Sequence, residues 1–123
     1  MPRILVIEDD SSFRNVLVQM LEKAGHTVRS AEDGNKALEI CPVFQPDVVL
    51  TDIIMPDKEG LETIQELLQL CPQMRIIAMS GGGRVGPDSY LPLAKKLGAK
   101  ATLQKPFMRD ELMAAISEVL ESD

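Results

Sequence analysis

Short β-branched or apolar runs alternate with stretches of helical periodicity along the whole chain. That alternation is the signature of βαβ units, and it restricts the fold to a largely parallel sheet flanked by helices. The runs are Arg3 to Ile7, Thr27 to Ala31, Asp47 to Thr51, Arg75 to Met79 and Ala101 to Leu103. The third is apolar almost throughout, as expected of a strand covered on both faces. A helix over Ser12 to Ala24 carries Phe13, Val16, Leu17, Met20 and Leu21 at helical spacing, and Gly25 ends it. Asp33 caps a helix from Gly34 to Cys41, after which Pro42 and Pro46 close the connection. Leu61, Ile64, Leu67 and Leu68 stripe a helix from Glu59 to Leu70. Pro92 is compatible with a first helical turn, so the next helix starts near Ser89 and ends at Leu97. The last runs from Arg109 to Leu120, with Leu112, Ile116, Val119 and Leu120 on one side.

Five strands and five helices in strict alternation predict an α/β fold, a three-layer αβα sandwich with right-handed crossovers. The flavodoxin-like strand order 2-1-3-4-5 fits best, because strand 2 then lies at an edge and is the one strand with no polar candidate at its end. A length of 123 residues predicts one domain, 1–123, large enough to need no disulfide staples. The net charge of −6 disfavours direct nucleic-acid binding. The start resembles no secretory signal and no run is long enough to span a bilayer, so the expected location is cytoplasmic. Cys41 and Cys71 form no metal-ligand pattern and are expected to be buried or half-buried free thiols. His26, the single histidine, reads as a surface turn residue and excludes a His-based triad or zinc site of the usual kind. Lys95 and Lys96 read as a solvated helix end favoured by the macrodipole.

In such a sheet the carboxyl ends of the strands share one crevice, where ligands bind. Asp9, Asp52, Ser80 and Lys105 stand at those ends. Glu8, Asp9 and Asp10 follow strand 1; Asp10 and Ser11 read as helix caps, whereas Asp9 and Asp52 come from separate strands. Two unit charges ~4 Å apart repel by about 4 kcal/mol at an effective dielectric near 20. Clustered carboxylates must therefore share a proton or hold a cation, and hard oxygen ligands suit Mg²⁺. A strand-tip carboxylate beside a cation can act as a nucleophile and form an acyl phosphate, with Lys105 and Ser80 as partners for phosphoryl oxygens.

Four features carry a resemblance: Glu8-Asp9 after strand 1, D-x-x-M-P-x-x-x-G from Asp52 to Gly60, Ser80 after strand 4, and Lys105-Pro106-Phe107 after strand 5. Together, in order, they resemble the receiver domain of two-component response regulators, over essentially the whole chain. The resemblance implies a phospho-acceptor switch rather than an enzyme. Asp52 would accept phosphate from a histidine kinase or phosphotransfer protein. Glu8, Asp9, Asp52 and the backbone carbonyl of Ile54 would bind Mg²⁺ (Mn²⁺ could substitute), Glu8 through water. Ser80 and Lys105 would contact the phosphoryl group, and Lys105-Pro106 would be cis. A downstream effector would read the helix 4, strand 5, helix 5 face, where Tyr90, Lys96, Lys100 and Gln104 are candidates. Ending at Asp123, the chain is expected to be a stand-alone receiver.

Three positions depart from the family. Thr102 stands where the family carries the aromatic that swings inward, and it is too small to fill that space. Glu8 replaces the commoner aspartate. Ile54 is apolar where a polar side chain could place an attacking water, so slow self-dephosphorylation is expected. The alternative function is a receiver-like binding module that needs no phosphate. A haloacid-dehalogenase-like phosphohydrolase would need a second acid at position 54, and a flavin phosphate would be repelled by the acidic loop after strand 1. The run Gly81-Gly82-Gly83-Arg84-Val85-Gly86 lacks the Lys and Ser/Thr of a nucleotide P-loop and reads as a flexible connection or hinge.

Overall fold

A computed structural model of the chain describes residues 2–53, 60–80, 91–105 and 107–121. The elements are β1 (Arg3–Ile7), α1 (Ser11–Lys23), β2 (Thr27–Ala31), α2 (Gly34–Phe44), β3 (Val48–Asp52), α3 (Gly60–Leu70), β4 (Arg75–Ser80), α4 (Leu91–Leu97), β5 (Ala101–Gln104) and α5 (Arg109–Glu121). All neighbouring strands pair in parallel, in the order β2-β1-β3-β4-β5. The expected class and strand order are both present.

Side chains alternate across a strand with period two, so each strand feeds two cores. Leu5, Ile7, Val49, Ile76 and Ala78 pack with Ala37, Cys41, Ile64, Leu67 and Ala94 of α2, α3 and α4. Ile4, Val6, Val48, Leu50, Ile77, Met79 and Leu103 pack with Leu17, Leu21, Leu112, Ile116 and Val119 of α1 and α5. The three central strands are shielded from water on both faces, which is why they are apolar nearly without interruption.

Helix ends follow local chemistry. The Asp10 carboxylate accepts from the N–H groups of Ser12 and Phe13, at 2.9 and 3.2 Å, and caps α1. Asp33 caps α2 through the Lys36 N–H. Gly25 follows α1 at φ 96°, in the left-handed region that glycine enters freely. Lys95 and Lys96 lie exposed in the last turn of α4, as expected.

Four expectations need correction. Pro42 does not close α2; it lies inside, and the helix runs on to Phe44. Its missing N–H forfeits one helical bond, yet the Gln45 N–H still reaches the Cys41 carbonyl at 2.9 Å, and Gln45 ends the helix at φ 53°. Cys71 is exposed, because α3 has already ended at Leu70; Cys41 is buried as expected. Val16 is 47% exposed, at the margin of the stripe whose centre is Leu17 and Leu21. His26 is half-buried in the turn between α1 and β2, its N–H donating to the Leu21 carbonyl. The residues expected at Ile54, the glycine-rich run, Tyr90 and Pro106 lie outside the described residues.

Candidate functional site

Strand register assembles the site. β1 pairs with β3 as far as Ile7 opposite Thr51, so Glu8 and Asp52 continue the same ladder side by side. β3 pairs with β4 with Asp52 opposite Met79, which places Ser80 one residue beyond. Ser80 pairs with Gln104 of β5, and the Lys105 N–H donates to the Ser80 carbonyl at 2.8 Å. Glu8, Asp52, Ser80 and Lys105 are thereby gathered at the carboxyl edge of four adjacent strands.

Period two then decides which of them touch. Glu8 continues the face of Ile4 and Val6, Asp52 that of Val48 and Leu50, and Lys105 that of Ala101 and Leu103. All three belong to the α1 and α5 side, and the Lys105 ammonium bridges Glu8 Oε1 and Asp52 Oδ2 at 2.5 Å each. Ser80 has the opposite parity, that of Ile76 and Ala78. Its hydroxyl is buried and has no hydrogen-bond partner among the described residues. A buried hydroxyl without a partner costs free energy, and a ligand oxygen in the crevice would relieve that cost.

Glu8, Asp9 and Asp52 each offer a carboxylate oxygen, all within 4.8 Å of one another. Glu8 and Asp52 are buried and Asp9 is exposed. Burial pushes the Glu8 carboxyl from an ordinary 4.5 to about 7, against the opposing hydrogen bond from Lys105; the nearby Asp52 charge adds to the rise. Burial alone would lower the Lys105 ammonium, but its bonds to Asp52 and Glu8 outweigh that and hold it above its usual value. Among the described residues three carboxylates cluster around the Lys105 ammonium, and an all-oxygen donor set of this kind fits a hard divalent cation. Both Glu8 oxygens are engaged, Oε1 by Lys105 and Oε2 by the Asp10 N–H at 3.1 Å.

Two contacts were not anticipated from sequence. Arg14 Nη1 donates to the Glu8 carbonyl at 2.8 Å and fixes the turn into α1. Phe13, read from periodicity as core, turns its ring to the Lys105 ammonium, 4.6 Å from the ring centroid. Thr102 is half-buried on β5.

Comparison with known proteins agrees with this geometry. The profile of the response regulator receiver domain family matches residues 4–117. Chemotaxis protein CheY of Halobacterium salinarum is 32% identical over 118 residues, covering 96% of this chain and 96% of that protein. Response regulator receiver protein CpdR of Brucella abortus is 35% identical over 122 residues, covering 98% of each. The crystal structure of a response regulator receiver domain protein from Clostridium thermocellum superposes with a TM-score of 0.89 at 31% identity, over 98% of this chain and 94% of that one. A fold, a strand-end acid cluster and an almost full-length family match therefore converge, and the chain belongs to the response regulator receiver domain family.

Proposed function

We propose that Asp52 is the residue on which this receiver takes up a phosphoryl group, in a reaction that depends on Mg²⁺ or, in substitution, Mn²⁺. The chain is a phospho-acceptor switch, as its family and its acid cluster support. The observation that carries the assignment is the place of the Asp52 carboxylate. It is buried, bonded to the Lys105 ammonium, and within reach of two further carboxylates.

In this reading a carboxylate oxygen of Asp52 forms a bond to the phosphorus of a phosphohistidine donor. The donor's P–N bond breaks and the nitrogen keeps the electron pair. Lys105 follows the developing charge on the phosphoryl oxygens, and Ser80 gains an acceptor for its buried hydroxyl. Glu8, Asp9 and Asp52 would hold the cation, Glu8 through water because both its oxygens already have partners. Bound Mg²⁺ supplies electrostatic relief for the phosphoryl oxygens. In this reading the Ile54 carbonyl would complete the ligand set.

The donor is a histidine kinase or phosphotransfer protein. The reader is an effector at the face of α4, β5 and α5, where Lys96, Lys100 and Gln104 are exposed. Residues 1–123 act as one receiver domain in the cytoplasm; no helix among the described residues is long and apolar enough to cross a membrane. Beyond its own phosphotransfer and dephosphorylation, the protein turns over no separate substrate.

The test is phosphotransfer with Mg²⁺ from acetyl phosphate or a phosphorylated kinase. Wild type should take label and Asp52→Asn should not; label retained by the asparagine variant refutes the assignment. A second reading, a module that binds without phosphate, draws on Thr102, which is too small to fill the space of a swinging aromatic. Equal partner binding by wild type and Asp52→Asn would favour it.

A further inference from the structure

Among the described residues the Lys105 ammonium has three partners. Two are carboxylate oxygens, of Glu8 and Asp52, and the third is the face of the Phe13 ring. The carboxylates are also the groups that a divalent cation and an incoming phosphoryl group would engage. The ring face is different: a strongly hydrated, oxygen-seeking cation has no use for it, whereas an ammonium is drawn to the negative face of its quadrupole.

Phe13 is itself well placed to hold such a contact. It stands in the first turn of α1, its N–H held by the Asp10 carboxylate cap at 3.2 Å. Behind it Phe107 packs edge-on, with ring centroids 5.8 Å apart and an interplanar angle of 69°. Both rings lean on the core between the sheet and the α1 and α5 helices. Phe107 comes two residues after Lys105, so the segment that carries the ammonium also buttresses the ring that receives it.

We propose that Phe13 is a positioning residue for the phosphotransfer reaction, whose ring face keeps the Lys105 ammonium in the crevice while the carboxylates change partners. The inference rests on the reading of Asp52 as acceptor. Phe13 touches neither the phosphoryl group nor the metal ligands' oxygens in this role; it acts through Lys105 alone. A leucine would keep an apolar side chain there but lose the ring face and the edge-on contact with Phe107, whereas a tyrosine would keep both. Fluorinated rings would keep the packing while weakening the quadrupole.

The experiment uses the full chain with Phe13→Leu, Phe13→Tyr, and mono-, di- and trifluorinated phenylalanine at position 13. Fluorination drains the ring face of negative charge while nearly preserving its shape. Labelling from acetyl phosphate with saturating Mg²⁺ should be near wild type for Phe13→Tyr. It should fall by about threefold to tenfold for Phe13→Leu, the range that a partly desolvated ammonium on a ring face supports. It should decline stepwise across the fluorinated series, which a packing role would not produce. In the metal-free protein, the Lys105 side-chain NMR resonances should show a ring-current shift in wild type and Phe13→Tyr that Phe13→Leu abolishes. Normal labelling that stays level across the fluorinated series, or an absent ring-current shift, overturns the role of Phe13 and leaves Asp52 as acceptor. Wild type that takes no label overturns the acceptor reading, and the role of Phe13 falls with it.

Discussion

In metal-free buffer, Glu8→Gln should change how the stability of the fold responds to pH between 5 and 8. Glu8 is 1% exposed, and burial raises its carboxyl to about 7 from an ordinary 4.5. A group whose folded-state pKa is raised contributes stability that is complete below its unfolded value. That contribution is lost as pH climbs through the folded value. The window therefore runs from about 4.5 to about 7. At about 1.4 kcal/mol per pH unit, ionising Glu8 inside the fold costs about 3 kcal/mol across it. Glutamine has no proton to lose. It does place an amide N–H₂ where a carboxylate oxygen accepted from Lys105 or from the Asp10 N–H, a penalty that is the same at every pH. The quantity to read is therefore the difference between variant and wild type at pH 8 minus that at pH 5. Urea or thermal unfolding with EDTA should give about 3 kcal/mol in favour of the variant, or roughly 10 °C in Tm for a chain of this size. Millimolar Mg²⁺ should recover stability at pH 8 in wild type more than in the variant. Parallel pH dependences for the two proteins in EDTA would refute the argument that burial governs Glu8.

Gly98 sits at φ 125°, and a Cβ there would lie 2.5 Å from Leu68 Cδ1 of α3. Gly98→Ala should cost about 1–3 kcal/mol by urea unfolding, and pairing it with Leu68→Ala should relieve the clash but not the backbone term. Native protein should react quickly with a thiol reagent at Cys71 alone, since Cys71 is exposed while burial, with a smaller contribution from Cys71, raises the Cys41 thiol. Two equivalents should react in denaturant, and equal native rates at both thiols would contradict the burial of Cys41.

Much of the site was legible because strand ends are written in local composition. Glu8, Asp9, Asp52, Ser80 and Lys105 each stand at the end of a short β-branched or apolar run that alternates with helical stretches and so reads as a strand, and parallel topology takes those ends to one edge. The order β2-β1-β3-β4-β5 was accessible for the same reason. What periodicity could not show was which side chains meet once they arrive. Phe13 satisfies the helical stripe equally well as core or as a platform for Lys105, and only the packing of α1 distinguishes the two. Arg14 reads as a surface residue until the turn at Glu8 is in place to receive it. The extension of α2 past Pro42 also lay beyond local rules. Phe44 gains a place against the core and under the Arg29 guanidinium, 5.9 Å from its ring centroid, and that tertiary gain offsets one lost helical bond.

The parity of Ser80 has a mechanical meaning. Glu8, Asp52 and Lys105 grow out of the wall that supports α1 and α5, while Ser80 grows out of the wall that supports α3 and α4. A phosphoryl group bonded to Asp52 and held by Lys105 and Ser80 would act as a rivet through the edge of the partition. Chemistry performed in one compartment would then tug on helices in the other, without any helix having to cross between them.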